Sequence, residues 1–414
     1  MALRQATRDE QTVRGVIEGT VEALEQDDPA SREAACEAVE VHADGWSGCR
    51  DRLIEDLLQA EDWLEREAVL VQTPGAPVDQ DDELDFMPSH PTVALVQSAM
   101  EERLDLVSAD AFDIRDPRWL STLYHRLRAR VRGKAPFPEH TTVEDFRFRL
   151  DDRATVALVS DWGTGGRHAA EVARRIAERD PDHVIHLGDV YYSGTPREVK
   201  LHFLDMWRMH GPPRARYWAL NANHDMYSGG YGYFGHVLPA IGQPASYFSV
   251  GNDAWRLIGL DTGYVNGSFT TPQMAWLEGQ FSGRARPILL THHHLLSAYR
   301  KRGTVLEQWL EGHLAAGRIH GWFWGHEHHL VEYAEYRGVK CRCIGHGALP
   351  YLPPDLVQRR HPADIVRMET RRSPHDPGRG IHGFALLNFD GPVLHIEYVD
   401  EAGDTGWRER WADS

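Results

Sequence analysis

Between residues 154 and 329, five short apolar runs each end in side chains that can bind a metal ion. The runs with their endings are ATVALVSD, HVIHLGD, RYWALNANHD, RPILLTHHH and GWFWGHEHH. Runs of this length, separated by helical segments such as GRHAAEVARRIAERD, predict strands that alternate with helices in an α/β domain. Because the carboxyl ends of parallel strands meet at one edge of such a sheet, we expect the polar endings to converge on one site.

The composition limits the possible partners and the compartment. A length of 414 residues suggests roughly two to three domains. The net charge of −17 disfavours nucleic acid and anionic membranes as bulk partners. The segment MALRQATRDEQTVRG lacks the apolar core of a signal peptide, and no apolar run approaches the roughly 18 residues of a membrane span. These features predict a cytoplasmic protein, in which Cys341 and Cys343 are packing residues of a strand.

The chain changes character near residue 150. Residues 1–150 contain helical patterns such as TVRGVIEGTVEALEQ and CRDRLIEDLLQAEDWLEREAVLV, and they carry no recognisable chemistry. We expect them to form a mainly helical domain with a capping or interaction role. Residues 151–414 hold the strand-and-helix pattern and form the predicted catalytic domain, whose tail GFALLNFDGPVLHIEYVD predicts a β-hairpin around Asp390 and Gly391.

The polar endings combine carboxylate, amide, phenol and imidazole groups. Such a mixture suits borderline to hard cations such as Mn, Fe and Zn. Their number suffices for two ions that share one carboxylate, an arrangement used for in-line displacement at phosphorus. The candidates are Asp161, Asp189, Tyr192, Asn223, His224, Asp225, His292, His293, His294, His326 and His328.

In their order along the chain, these motifs resemble those of the calcineurin-like metallophosphoesterases. Over about residues 153–400, Asp-x-Gly is followed by Gly-Asp, Asn-His-Asp, a histidine after a strand, and Gly-His-x-His. The resemblance implies a four-layer fold, in which two packed mixed β-sheets are flanked by helices. One departure is Ala222, which stands where the family usually has glycine; alanine fits there if its φ angle is negative.

Two details are similar to the purple acid phosphatase branch of that family. The first motif is Asp161-Trp162-Gly163, with glycine where many members have a histidine ligand, and Tyr192 lies three residues after Asp189. The resemblance implies that the Tyr192 phenolate binds Fe(III), beside a divalent ion that is Fe, Mn or Zn. The alternative is that Tyr192 is a packed aromatic residue, in which case its neighbour Tyr191 is the phenol to consider.

The resemblance also implies the distribution of ligands between the two ions. Asp161, Tyr192 and His328 would bind one ion, whereas Asn223, His292 and His326 would bind the other. Asp189 would bridge the two ions. His329 would point away from the site, because adjacent residues of an extended segment face opposite sides.

The implied reaction is hydrolysis of a phosphoester. Two cations polarise the phosphoryl oxygens and generate hydroxide near neutral pH, which attacks phosphorus in line. His224 is the expected proton donor to the leaving group, and Asp225 would orient His224 or raise its pKa. The alternative is that His224 is a further ligand or a packing residue. Tyr227, Tyr231 and His346 are candidates for contact with the substrate.

Three functions are compatible with these motifs. The first is a metal-dependent phosphomonoesterase or phosphodiesterase that acts on a small-molecule phosphoester. The second is a dedicated phosphodiesterase, for example of cyclic nucleotides. The third, of another class, is a protein-binding scaffold with this fold, whose N-terminal domain docks a protein partner.

Overall fold

The computed structural model describes residues 133–298, 303–351, 353 and 364–412, together with residue 129. These residues, apart from residues 129 and 133, fall in one compact unit, Lys134–Ser414. The predicted helical domain of residues 1–150 lies outside the described residues up to residue 132, apart from residue 129. Its existence and its boundary therefore stay predictions.

Within the described residues, the strands in chain order are β1 Arg147–Arg149, β2 Arg153–Val159, β3 His183–His186, β4 Arg216–Ala219, β5 Phe248–Gly251, β6 Trp255–Gly259, β7 Arg286–Thr291, β8 Gly321–Trp324, β9 Leu330–Tyr333, β10 Lys340–Ile344, β11 Ile365–Met368, β12 Gly383–Asp390, β13 Val393–Asp400 and β14 Thr405–Trp411. The α-helices are α1 Arg167–Glu178, α2 Pro196–Glu198, α3 Asp205–His210, α4 Asn223–Tyr227, α5 Leu238–Ile241, α6 Thr271–Gln280 and α7 Thr304–Ala315. Two π-helical segments are Val199–Leu204 and Tyr233–Val237.

The described strands form two mixed sheets. Sheet A has the order β1-β5-β6-β7-β8-β10-β9-β11, and sheet B has the order β14-β13-β12-β2-β3-β4. In sheet B, β2, β3 and β4 are parallel neighbours. In sheet A, β6, β7 and β8 are parallel neighbours. Each parallel set therefore sends its carboxyl ends to one edge of its sheet.

Alternation of side chains along the strands produces four layers. In β2, Val156 and Leu158 enter the core shared by the two sheets, whereas Ala157 and Val159 pack in the cluster that contains the buried face of α1. Successive side chains of a strand point to opposite faces, so each inner strand contributes to two cores. β8 behaves likewise, with Phe323 between the sheets and its two tryptophans against the cluster that includes α6 and α7. The four-layer fold expected from the sequence is confirmed.

Helix α1 shows how the sequence produces an outer layer. Its buried residues recur at helical spacing, and small alanines let the helix approach sheet B closely. The buried positions are Ala169, Ala170, Val172, Ala173 and Ile176.

Two smaller expectations from the sequence are also confirmed. β12 and β13 form an antiparallel hairpin in which Asp390 pairs with Val393 around Gly391, whose φ angle is +57°. Cys341 and Cys343 are buried free thiols on the same face of β10. Among the described helices, none combines the length and the apolar character needed to cross a membrane.

Residues 134–150, which the sequence assigns to the N-terminal region, are part of this unit. β1 pairs in parallel with β5. The indole nitrogen of Trp276 donates a hydrogen bond to the carbonyl of Asp145 over 2.8 Å. The rings of Phe137 and Tyr247 stack with their centroids 5.6 Å apart. A shortened chain that keeps this packing therefore has to include residue 134.

Candidate metal centre

The predicted ligand residues stand at strand ends of both sheets and are buried together. Asp161, Asp189 and Asn223 follow β2, β3 and β4 of sheet B. One imidazole follows β7 and two follow β8 of sheet A. Three potential ligand atoms, one each from Asp161, Asp189 and His292, lie within 4.8 Å of one another. All of these side chains are shielded from solvent, namely Asp161, Asp189, Asn223, His292, His326 and His328.

The backbone is strained at three of these positions. Asp161, Asp189 and His326 have φ angles of +56°, +76° and +65°. The left-handed region is costly for residues with a Cβ, and such residues concentrate at functional sites, where the surrounding structure imposes the conformation. At the ends of β2, β3 and β8, the surrounding structure therefore imposes an unfavourable backbone conformation that directs these side chains into the site.

One group of ligand atoms forms around the carboxylate of Asp161. Its Oδ1 lies 3.2 Å from Nε2 of His328. The hydroxyl of Tyr191 lies 3.1 Å from the same Oδ1 and 3.4 Å from the same Nε2. A carboxylate, a phenol and an imidazole thus meet at distances at which one cation can contact all three.

A second group forms around Nε2 of His292. This nitrogen lies 2.9 Å from Oδ1 of Asn223 and 3.3 Å from Nδ1 of His326. The other ring nitrogen of His292 lies 3.2 Å from the carbonyl of Leu187, which accepts its proton and leaves Nε2 as the free ligand atom. This group matches the set that the resemblance assigned to the second ion.

The carboxylate of Asp189 connects the two groups. Its Oδ2 accepts a hydrogen bond from the Tyr191 hydroxyl over 3.1 Å and lies 3.4 Å from Nε2 of His292. Its Oδ1 accepts the backbone N–H of His224 over 3.1 Å. Asp189 is therefore placed where a bridging carboxylate is required.

The remaining oxygen of Asp161 is held by two donors. Oδ2 accepts the hydroxyl of Ser160 over 2.6 Å and the backbone N–H of His326 over 3.0 Å. These bonds fix the orientation of Oδ1 toward the first group. Sequence reasoning missed Ser160, although its position directly before the ligand aspartate in VSD is a usable signal.

The phenol hydroxyl beside the carboxylates is that of Tyr191, the neighbour of the predicted Tyr192. The two residues are adjacent, so their side chains leave the backbone in different directions. The Tyr191 hydroxyl reaches Asp161 and Asp189, as described above. The backbone of Tyr192 donates to Glu198 over 2.6 Å and accepts from Nδ1 of His224 over 2.7 Å. The hydroxyl of Tyr191 thus contacts both carboxylates, and the assignment of Tyr192 as the phenolic ligand stays a prediction.

The two carboxylates share an unfavourable environment without cations. Burial opposes ionisation of Asp161, but the hydrogen bond from His328 and the charge of His292 outweigh it and lower the pKa of Asp161. Burial first, and then the negative charges of Asp161 and Asp225, raise the pKa of Asp189 well above its ordinary value. A cation between the two groups removes this repulsion, so the donor set fits a metal centre.

His224 faces the bridging carboxylate from the start of α4. Its Nδ1 donates to the Tyr192 carbonyl, and its Nε2 lies 3.9 Å from Oδ2 of Asp189. Its ring also contacts the rings of Tyr191 and Tyr227, with centroids 4.5 and 4.6 Å away. Burial lowers the pKa of His224 to about 3, so the ring is neutral near pH 7 and carries its proton on Nδ1.

The carboxylate of Asp225 forms a hydrogen bond with the backbone. Its Oδ2 accepts the N–H of Ala222 over 3.1 Å, which closes the first turn of α4, while the Tyr192 carbonyl orients the His224 ring. Burial raises the pKa of Asp225 to about 8. The Tyr192 carbonyl thus contacts His224 directly, and the role of Asp225 in orienting His224 or raising its pKa stays a prediction. Ala222 has φ −135°, so alanine fits there without strain, as expected.

The three predicted substrate residues occupy different places. The hydroxyl of Tyr227 accepts a hydrogen bond from Nδ2 of Asn223 over 3.0 Å, at the edge of the second ligand group. Tyr231 is half-buried between α4 and the next π-helical segment. His346 is 2% exposed and lies inside the protein, where burial lowers its pKa to about 4. Its loop supports the site, since the N–H groups of Ala348 and Leu349 donate to the Asp161 carbonyl.

Comparison with known proteins identifies a family for the central part of the chain. Residues 154–330 match the model described as calcineurin-like phosphoesterase, which confirms the resemblance expected from the sequence over that range. No curated protein matches the chain significantly.

Three of the solved structures that match this chain come from different sources. GAP50, the anchor in the inner membrane complex of Plasmodium, is 12% identical to this chain with a TM-score of 0.49. The alignment covers 63% of this chain and 89% of GAP50. Purple acid phosphatase PPD1 from yellow lupin (Lupinus luteus) seeds is 15% identical with a TM-score of 0.47, covering 67% and 55%. A dimetal phosphatase from Danio rerio is 12% identical with a TM-score of 0.43, covering 63% and 99%. These values are too low to transfer a function to this chain.

Proposed function

We propose, from the membership of residues 154–330 in the calcineurin-like phosphoesterase family, that this chain is a dinuclear metal phosphoester hydrolase. The observation that carries the proposal is the arrangement of buried ligand atoms in two groups that share the carboxylate of Asp189. A single ion would be bound by one group of ligand atoms alone. Two neighbouring ions would be bound by both groups and would need a shared anionic ligand.

The donor chemistry fits two different cations. The group of Asp161, Tyr191 and His328 offers two oxygen ligands and one nitrogen, which suits a hard ion such as Fe(III). The group of Asn223, His292 and His326 offers one neutral oxygen and two nitrogens, which suits a divalent Fe, Mn or Zn ion. When bound, such a pair of ions supplies Lewis acidity toward the phosphoryl oxygens and lowers the pKa of water.

His224 is the proposed proton donor to the leaving oxygen. Because its Nδ1 proton is held by the Tyr192 carbonyl, a transferable proton has to sit on Nε2, and the donating ring is an imidazolium. Burial lowers the pKa of His224 to about 3, which disfavours that form at neutral pH in the free protein. A bound phosphoester dianion near Nε2 favours the charged ring. The acid is therefore formed in the complex with substrate.

Tyr227 and Tyr231 remain proposed substrate contacts, whereas the interior position of His346 favours a supporting role for its loop. Residues 1–150 remain a proposed helical domain with a protein partner, and a cytoplasmic location remains part of the proposal. The proposed substrates are small-molecule phosphoesters. A preference for monoesters or diesters is an outcome of the test below.

The experiment combines metal analysis with turnover of the full-length protein. We expect two ions per chain and hydrolysis of either 4-nitrophenyl phosphate or bis(4-nitrophenyl) phosphate. Asp189→Asn should lose the shared ligand, with both ions and activity reduced strongly. Asp400→Asn is the matched control, since Asp400 is a buried carboxylate that pairs with Arg371 outside the site. Two ions without turnover of any phosphoester would favour the scaffold alternative, and fewer than two ions would refute the proposal.

A further inference from the structure

A buried carboxylate lies between the two imidazoles that follow β8. Glu327 is 3% exposed, and its neighbours in the chain are His326 and His328. Its carboxylate reaches the hydroxyls of Ser297 and Tyr333 rather than the ligand atoms.

The carboxylate is held by two hydroxyl groups. Ser297 donates to Oε1 in a short hydrogen bond, and the hydroxyl of Tyr333 donates to Oε2 over 3.2 Å. Both donors are 1% exposed. Among the described residues, the side-chain donors to Glu327 are these hydroxyls and not a basic group. Burial first, and then the charge of Glu327, raise the pKa of Tyr333 well above its ordinary value, so its hydroxyl keeps the proton that it donates.

The contacts of Glu327 join the ends of two strands. Ser297 belongs to the loop that follows β7 and begins with the ligand His292. Tyr333 ends β9, and its oxygen also accepts the backbone N–H of Ala298 over 2.9 Å. Both partners of Glu327 thus bind or belong to the loop after β7, while Glu327 itself belongs to the loop after β8.

The backbone of Glu327 is fixed as well. Its N–H donates to the Gly325 carbonyl over 2.7 Å. Its own carbonyl accepts the N–H of His329 over 2.6 Å and the thiol of Cys343 over 3.2 Å. A side chain anchored on such a rigid segment transmits its position to its neighbours in the chain.

We propose that Glu327 is a positioning residue for the second ligand group. Through Ser297 and Tyr333 it ties the loop after β7 to the loop after β8. These loops carry His292 and His326, whose ring nitrogens lie 3.3 Å apart. A buried carboxylate held by neutral hydroxyls is costly to folding, and the fixed separation of two metal ligands is what offsets that cost. The inference rests on the proposed dinuclear centre.

The test uses Glu327→Gln in the full-length protein. Glutamine keeps the size of the side chain but cannot accept from both hydroxyls with its two terminal atoms. The matched control is Glu332→Gln, on β9, whose carboxylate lies 3.4 Å from Arg342 and 3.7 Å from Arg367, outside the site. Tyr333→Phe is a second variant, which removes one donor and leaves the carboxylate in place.

Metal-free proteins are titrated with Mn²⁺ by calorimetry, and the loaded forms are examined by electron paramagnetic resonance. Wild type and Glu332→Gln should bind two ions and show the spectrum of a coupled Mn pair. Glu327→Gln should bind one ion as the wild type does and the other about tenfold or more weakly, with loss of the coupled signal. Tyr333→Phe should change in the same direction to a smaller extent.

The outcomes separate this inference from the proposed function. Unchanged affinities for both ions in Glu327→Gln would overturn the positioning role and leave the hydrolase proposal intact. If Glu327→Gln does not fold, unchanged affinities in Tyr333→Phe have the same meaning. A wild type that binds fewer than two ions would overturn the dinuclear centre and, with it, the inference.

Discussion

One methyl group at residue 188 should damage the second ligand group. Gly188 links β3 to Asp189 with a φ angle of +112°. A Cβ added there would lie 2.5 Å from Cβ of Ala222 and 3.0 Å from Nδ1 of His292. The methyl is thus wedged between the residue before Asn223 and a ligand imidazole.

The size of the effect follows from these distances. Ordinary contact begins near 3.4 Å, so the Ala222 side must retreat by about 0.9 Å. A metal site tolerates ligand shifts of only about 0.2 Å, so the second group should fail. Overpacking costs about 1–3 kcal/mol, and the strained φ costs about 1–3 kcal/mol more. We expect Gly188→Ala to lose about 2–6 kcal/mol of unfolding free energy.

The assay pairs urea unfolding of metal-free protein with Mn²⁺ titration. Gly242→Ala is the matched control, because Gly242 also has a positive φ, +66°, but nothing lies within 4 Å of its added Cβ. The control should lose about 1–2 kcal/mol and keep both ions. If Gly188→Ala is no less stable than Gly242→Ala and binds two ions with wild-type affinity, the steric reasoning is wrong.

Four further outcomes are expected. Iron-loaded, oxidised protein should show a visible phenolate charge-transfer band that Tyr191→Phe abolishes and Tyr192→Phe retains; absorption spectra decide between them. His224→Ala should keep both metals and lose about 10²–10⁴ in kcat on alkyl phosphates but less on 4-nitrophenyl phosphate, whose leaving group needs no proton; equal losses in steady-state assays would contradict this. Metal affinity should fall as pH falls, because the raised pKa of Asp189 means that its carboxyl holds a proton that the metal must displace; calorimetry in buffers of different ionisation enthalpy should detect the released proton, and metal binding without proton release would contradict this. A truncated chain that starts at Lys134 should bind both ions, and insolubility or lost binding would show that the N-terminal residues are needed.

The metal-binding residues at the strand ends could be predicted from the sequence because two simple rules act together. An apolar run such as GWFW is long enough for one strand of a buried sheet, and the next residues must leave the sheet at its carboxyl edge. The two ligand groups and the carboxylate between them therefore hold six of the predicted ligands, Asp161, Asp189, Asn223, His292, His326 and His328. The α/β class follows from the alternation of helices and strands, whereas the four layers were expected from the resemblance.

The details of the site and the fold that could not be predicted from the sequence depend on local geometry or on partners distant in the chain. Tyr191 and Tyr192 differ by one position, and the direction of each ring depends on the path of the backbone after Asp189. The orienting partner of His224 is a carbonyl, which every residue has and no sequence pattern marks. Likewise, β1 pairs with β5 about a hundred residues away, so no local pattern in residues 134–150 indicates that they join this unit.

The ligands of each proposed ion come from both sheets. Asp161 and Tyr191 follow strands of sheet B and His328 follows one of sheet A, whereas Asn223 belongs to sheet B and its two imidazole partners to sheet A. Each ion would therefore act as a reversible cross-link between the two halves of the domain. A ligand present at about 100 times its dissociation constant adds about 2.7 kcal/mol to the folded state. The resistance of this protein to heat and proteases would then follow the supply of metal in its surroundings.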